Sequence, residues 1–310
     1  MMNLPDFLIV GAAKSGTTTL FRELNSYSEV FIPGIKEGRF FSNMHRNFRG
    51  GAAAKFQNEG PRDLKEYTQL FSGQDEKVKG DISGDYFYYW QRSIENIKRI
   101  YADANKLEPK IVIVLRDPVS RIFSMYHHII RLRSDTKSFE EVFNLSKNRI
   151  KDGYAWMFDL HGVGLSFQAV KAYIDNFSIV KVYLMEDLQS AGFFTDLLAF
   201  LEVNEKPKSQ HLPRSNENDY LMPKSFLISW ILSLFGNIWV KVGYRGNHRN
   251  RLLHIAKKIY LFAEQLNRHG NQDSINTKFM GELIHYYKND VIQLSKLIGR
   301  DLSHWLIVEQ

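Results

Sequence analysis

Four short segments of the chain, 7–10, 30–32, 110–115 and 179–185, carry apolar residues too densely for a half-exposed element and end in glycine, proline or charge, and a fifth, 77–83, reads as a strand ending in a loop that carries Asp81, Ser83 and Tyr86. Segments of that length rich in Val, Ile and Phe predict strands, and the β-branched run at 110–115 has the continuous apolar character of a parallel strand covered on both faces. Between them the spacing changes to that of helices, predicted over 17–26, 61–71, 93–101, 118–133, 138–151 and 165–177. In 61–71, Leu64, Tyr67 and Phe71 share one face. Strands alternating with helices predict an α/β fold, a central parallel sheet flanked by helices with right-handed crossovers. Ligands of such sheets bind at the carboxyl ends of the strands.

The periodicity weakens in two places. Residues 43–60 are rich in Gly, Asn and Arg and are expected to form a mobile or substrate-facing excursion. From 193 onward only helices are predicted, the longest at 279–298, with 302–307 closing the chain. The apolar stretch 227–242 is interrupted by Ser229, Ser233, Gly236 and Asn237 and falls short of the ~20 residues of a membrane span. It reads as a buried or partner-facing helix, with peripheral membrane contact the lesser alternative. The expected organisation is one domain over 1–310: an α/β nucleotide-binding core at 1–188 and a helical extension at 189–310.

Composition narrows the chemistry. A chain of 310 residues, 44% hydrophobic, can bury a large core without further staples. It has no cysteine, which removes disulfides, thiolate metal sites and thiol catalysis. The first strand starts within a few residues of Met1, so neither a leader nor an N-terminal anchor is expected, and a bacterial cytoplasmic location is the simplest reading. The net charge of +7 favours acidic partners. Part of it is concentrated at 241–258, where Lys241, Arg245, Arg249, Arg251, Lys257 and Lys258 occur without an acid. A solvated helix face and an anion-binding surface both remain open there.

The most informative stretch is at the start. The strand at 7–10 runs into Gly11, Lys14, Ser15 and Gly16, and Thr17, Thr18 and Thr19 open the next helix. A loop of this kind aims backbone N–H groups and the positive end of a helix at an anion. Gly11 and Gly16 have the spacing of the phosphate-binding G-x-x-x-x-G-K-[ST] loop, but Thr17 stands in the lysine's place and the lysine comes earlier, at Lys14. A nucleoside triphosphatase would also need an acid at another strand end to hold Mg²⁺. Here the strand at 110–115 ends in Arg116, followed by Asp117 and Pro118. Arginine at that point suits a second phosphate bound without metal.

Three blocks together resemble the sulfotransferases that use 3′-phosphoadenosine 5′-phosphosulfate (PAPS): residues 14–19 after the first strand, Lys36-Glu37 followed by Phe40 and Phe41, and the run from Arg116 through Ser124 to Tyr126. The likeness is to the carbohydrate, heparan-sulfate-type branch and its bacterial relatives. Gly80 to Tyr86, Gly164 to Phe177 and Val182 to Leu188 are weaker blocks of the same likeness, which covers about 7–188 and, loosely, the last helix and Trp305. The resemblance implies that Lys14, Ser15, Gly16, Thr17, Thr18 and Thr19 cradle the 5′-phosphosulfate, and that Arg116 and Ser124 hold the 3′-phosphate. It makes Glu37 the base that takes the acceptor's proton, gives Lys14 the charge on the leaving phosphate oxygen, and leaves His128 as a second active-site group. Adenosine 3′,5′-bisphosphate (PAP) would be the product, with no metal. The implied partner is a glycan or another hydroxyl or amine compound, and no nucleic acid.

The chain departs from the branch where Gly38 and Arg39 follow the Lys-Glu pair, at Gly84 in place of a proline, and at Ser166 in place of a tyrosine. These positions bear on the acceptor or the adenosine edge. Asp81 and Tyr86 read as structural or acceptor-positioning residues. Arg268 or the 241–258 cluster could stand in for the branch's late basic loop. A P-loop nucleotide kinase or triphosphatase and a non-catalytic anion- or glycan-binding protein are the rival readings.

Overall fold

The computed structural model describes residues 2–34, 37–42, 48–56, 60–74, 77–208, 222–223, 268–269 and 276–307. Lys36, residues 43–47 and 57–59 of the expected 43–60 excursion, the apolar stretch 227–242 and the basic cluster 241–258 lie outside them.

Strands β1 (Phe7–Gly11), β2 (Val30–Phe31), β3 (Val78–Ile82), β4 (Lys110–Leu115) and β5 (Val180–Leu184) form a parallel sheet in the order β2-β3-β1-β4-β5. The chain leaves β1 for one side of the sheet, building β2 and β3, then crosses to the other for β4 and β5. This reversal opens a crevice at the carboxyl end of β1, between the ends of β3 and β4. All five residues of β1 are buried, as the apolar run predicts for a strand covered on both faces.

Alternation along β1 separates two cores. Leu8 and Val10 join Ile111, Ile113 and Leu115 on one face, while Phe7 and Ile9 join Val112 and Val114 on the other. The helices of the chain are α1 (Thr17–Leu24), α2 (Gly51–Phe56), α3 (Leu64–Gln69), α4 (Asp85–Tyr88), α5 (Trp90–Asp103), α6 (Pro118–Arg131), α7 (Phe139–Lys151), α8 (Leu160–Gly164), α9 (Phe167–Asn176), α10 (Phe193–Leu201) and α11 (Thr277–Ile298). Helix α1 and α10 cover the second core through Leu20, Leu24, Leu197 and Leu198. Helices α5, α6, α9 and α11 cover the first, so Leu283, Tyr287 and Val291 of α11 share a core with the strands.

Local chemistry explains where several helices start. Asp117 caps α6 by accepting from the Ser120 N–H, and Pro118 takes the first helical position. Ser138 and Glu141 form a reciprocal capping box at α7. Asn276 caps α11, and Gly299, at φ 65°, ends it.

Three expectations need correction. Residues 51–56, inside the expected excursion, form α2. Tyr86 lies in a helical turn, α4, and Asp81 inside β3, where a loop carrying both was expected. After residue 193 the chain is not helical alone, because Met222–Pro223 (β6) and Arg268–His269 (β7) pair antiparallel. A two-residue ladder between distant segments leaves no periodicity to read. Among the described residues no helix is long and apolar enough to cross a membrane.

Candidate functional site

The loop between β1 and α1 has the backbone geometry its residues imply. Gly16, the residue before α1, sits at φ 91° and offers no capping side chain. The helix start is thus left to its backbone N–H groups, the arrangement that serves an anion. Lys14 adopts φ 68°, a left-handed conformation uncommon outside glycine. A side chain at Gly11 would lie 2.7 Å from the Cβ of Phe87, so only glycine permits the strand to turn there. Ser15 is fully buried with its hydroxyl unpaired, and Thr17 is 5% exposed. Thr18 and Thr19 are half-buried on the first turn of α1.

The end of β4 meets this loop. Arg116 donates from Nη1 to the Lys14 carbonyl at 3.2 Å across 102 residues of sequence. Ser124, 7% exposed, follows on α6 about two turns from its start. Asp117, the acid a metal-dependent triphosphatase would need, is committed to capping α6, its Oδ1 2.6 Å from the Ser120 N–H. Burial pushes its carboxyl pKa up, against the Ser120 hydrogen bonds and the Arg116 charge.

Glu37 arrives from the other side. Its N–H donates to the Ile82 carbonyl at the end of β3, and the Arg39 N–H donates to the Ser83 hydroxyl at 3.3 Å. Ser83 in turn donates from its N–H to the Ile9 carbonyl, tying the Glu37 loop to β1. The carboxylate of Glu37 pairs with the Arg39 guanidinium at 2.9 Å. Arg39 is 3% exposed. Below it, Asp85 accepts from the Ser42 hydroxyl at 2.6 Å, and its other oxygen has no hydrogen-bond partner. Burial pushes Asp85 up to about 7, with the Arg39 charge and the Ser42 bond pulling the other way. Asp81, also buried, takes hydrogen bonds from the hydroxyls of Tyr67 and Tyr86, both at 2.8 Å, and of Ser83.

The structure therefore gathers Lys14 to Thr19 and Arg116 at one end of β1, with the Glu37 loop tied to the neighbouring strand end. His128 stands one turn beyond Ser124, about 6 Å along α6, half-buried with Nδ1 3.1 Å from Arg131. Sequence reasoning passed over Arg39 and Asp85 as site residues. Arg39 stood out only as a departure after Glu37, and nothing local marks Asp85 as its neighbour.

No family model matches the chain. Part of it is similar to the membrane-associated sulfotransferase kil1 of Dictyostelium discoideum, 27% identical over 138 residues, 44% of this chain and 26% of that protein. Carbohydrate sulfotransferase 15 of Mus musculus is 25% identical over 165 residues, 44% of this chain and 29% of its own. Heparan sulfate glucosamine 3-O-sulfotransferase 3B1 of Mus musculus is 29% identical over 139 residues, 45% of this chain and 30% of its own. The chain thus spans under a third of the length of these relatives. It is also similar to the crystal structure of a sulfotransferase from Alicyclobacillus acidocaldarius, with a TM-score of 0.70 and 28% identity over 97% of this chain and 98% of that one. The chain is similar to sulfotransferases in sequence over part of its length and in fold over nearly all of it.

In this chain the acidic pair after β5 has a structural task. Asp187 grips the Arg300 guanidinium with two hydrogen bonds, at 2.7 and 2.9 Å, and accepts from the Leu184 N–H. Glu186 accepts from the Trp305 indole at 2.9 Å. The two carboxylates fasten the end of the chain to the strand beside the site. Burial raises the Asp187 pKa, but the Arg300 bonds and charge outweigh it and the net shift is downward. Among the described residues no cluster of three His, Asp or Glu side chains could hold a metal.

Proposed function

We propose that the protein transfers a sulfuryl group from PAPS to a hydroxyl or amine of an acceptor, with a glycan as the acceptor class. One observation carries the reading: the arginine ending β4 reaches the lysine-bearing loop after β1, Arg116 Nη1 to the Lys14 carbonyl at 3.2 Å. Two anion-binding elements distant in sequence are thereby joined at the switch point of the sheet. The buried, unpaired Ser15 hydroxyl and the uncapped start of α1 fit a phosphosulfate. Asp117 is occupied as a helix cap, which counts against the triphosphatase reading. The carbohydrate sulfotransferases among the relatives support the acceptor class.

The donor supplies an activated sulfuryl group when bound. Lys14, Ser15, Gly16, Thr17, Thr18 and Thr19 would hold its 5′ end, and Arg116 and Ser124 its 3′-phosphate. Glu37 would accept the proton of the attacking hydroxyl or amine as the new bond to sulfur forms in line with the breaking S–O bond. Lys14 would offset the charge left on the departing phosphate oxygen, so no metal ion is required. The Arg39 pair holds the Glu37 carboxylate in one orientation beside this loop. His128 is the weaker catalytic assignment, since its ring pairs with Arg131 a turn further along α6.

Titration calorimetry with adenosine 3′,5′-bisphosphate and with ATP–Mg²⁺ tests the donor. Binding of the bisphosphate without dependence on Mg²⁺ is expected, and tight ATP–Mg²⁺ binding with no bisphosphate binding would sink the reading. A labelled-donor assay on Glu37→Gln tests the base. Transfer should fall by ~10²–10⁴-fold with bisphosphate binding retained.

A further inference from the structure

A cleft of about 260 Å³ lies against the phosphate loop on the α4, α8 and α9 side, and Ala12 and Ala13, the residues just before Lys14, form part of its wall. Its volume is below the ~300 Å³ at which sites for drug-sized ligands begin, which leaves room for one ring and not for a chain of them. Four aromatic residues, Phe87, Tyr88, Trp90 and Trp156, line it. Aromatic faces beside polar groups suit the C–H face and hydroxyl edge of a sugar.

The polar lining is specific. Arg121 is 1% exposed, and its terminal nitrogens donate to the Ser166 hydroxyl at 3.0 Å and to the carbonyls of Val163 and Leu165. Its Nε has no hydrogen-bond partner, so a buried donor in the lining remains unsatisfied. Asp159 and Asp290 are the two lining acids. Asp159 takes the Tyr88 hydroxyl at 2.7 Å and the Gly162 N–H at 3.0 Å, and Asp290 takes the N–H groups of Ser166 and Phe167. A carboxylate has about four acceptor positions, so both retain capacity for ligand hydroxyls. Two acids against one guanidinium make the lining net acidic in a protein of net charge +7. That charge balance disfavours a carboxylated or sulfated sugar.

We infer that this cleft seats a single uncharged sugar ring of the acceptor and discriminates against uronate and sulfated rings. The inference rests on the glycan sulfotransferase reading and narrows it to acceptors with a neutral unit beside the phosphate loop.

The test uses the full chain, with and without adenosine 3′,5′-bisphosphate, titrated with neutral methyl pyranosides and with methyl glucuronide and followed by saturation-transfer NMR. Leu165, 43% exposed, and Gln168, also exposed, line the cleft, and a tryptophan at either position would narrow it without disturbing a packed core. Saturable binding of a neutral pyranoside, at least tenfold weaker in Leu165→Trp and in Gln168→Trp and at least tenfold weaker for the glucuronide, is the expected result. Bisphosphate binding should be unchanged in both variants, which also reports that they fold. The inference is overturned by tighter binding of the glucuronide, by neutral binding that neither variant moves, or by no saturable neutral binding. Failure of the wild-type chain to bind the bisphosphate would refute the donor reading instead, and the glycoside titration without nucleotide would still decide the cleft.

Discussion

The two loops that flank the end of β1 are built differently. The loop at 11–19 is made by its own backbone: Gly11 permits a close approach, Lys14 and Gly16 take positive φ, and α1 begins at once. The loop at 37–42 also holds positive φ, at Glu37 (61°) and Arg39 (54°), but side chains from elsewhere keep it there. Ser83 binds its backbone, Asp85 binds Ser42, and buried Arg39 pairs with Glu37. Strained backbone persists only where its surroundings over-determine it. In the first loop much of that determination lies in its own glycines and helix start, with Arg116 on the Lys14 carbonyl added from afar, and in the second it comes from Ser83 and Asp85, more than forty positions away, together with Arg39 of the loop itself. The comparison teaches that the proposed donor loop is written largely into one short segment, whereas the element carrying the proposed base depends on a buried polar network.

The largest effect that could break this contrast is on chemistry. Lys14→Ala should lower kcat for sulfuryl transfer by ~10²–10³-fold while leaving the melting temperature near that of the wild type, because Lys14 is half-exposed and belongs to a loop. A collapse in melting temperature would show the first loop to be as dependent on tertiary support as the second. Next in size, Arg116→Ala should weaken bisphosphate binding by ~10–100-fold in calorimetry, the ~1.5–3 kcal/mol of a charged hydrogen bond. Unchanged affinity would remove Arg116 from the site.

A third experiment addresses the second loop through Asp85. Its carboxyl is raised from the ordinary 3.8 to about 7 by burial. The folded protein therefore holds this proton more tightly than the unfolded chain, and its contribution to stability is full below pH ~4 and lost as pH rises toward 7. Melting followed by calorimetry between pH 5 and 8 should show that decline in the wild type and a flatter profile in Asp85→Asn. Parallel profiles would mean that the Asp85 carboxyl ionises in the fold as it does in the unfolded chain. The smallest effect is expected at the chain end, where Arg300→Gln removes a partly exposed pair worth ~0.5–1 kcal/mol, or a melting shift of ~1–3 °C. Because Asp187 is shifted down on balance, that contribution should be present at neutral pH and fade below pH ~4. A variant as stable as the wild type at pH 7 would show the clasp to be idle.

Much of the fold was legible because its signals are local. The apolar run at 110–115 predicted β4 over the residues it occupies, and Pro118 after Asp117 predicted the start of α6. Glycine and lysine spacing after β1 marked the first loop, and Ser138 lies where α7 is capped. The helix at 51–56 was missed because Gly51 and its alanines lack an amphipathic pattern long enough to read. The β6–β7 ladder was missed because two residues carry no period.

What the sequence by itself determined is most of the elements and the backbone turn of the first loop, since periodicity, caps and glycine positions act within one or two turns of chain. What only the tertiary structure decided is which side chains meet: Arg116 on the Lys14 carbonyl, Arg39 between Glu37 and the acid at Asp85, and Arg121 buried against the cleft behind the phosphate loop. Those meetings depend on the order β2-β3-β1-β4-β5, which brings the ends of β3 and β4 to either side of β1. Strand order is set by the burial of two faces at once, a property of the whole sheet that no single segment encodes.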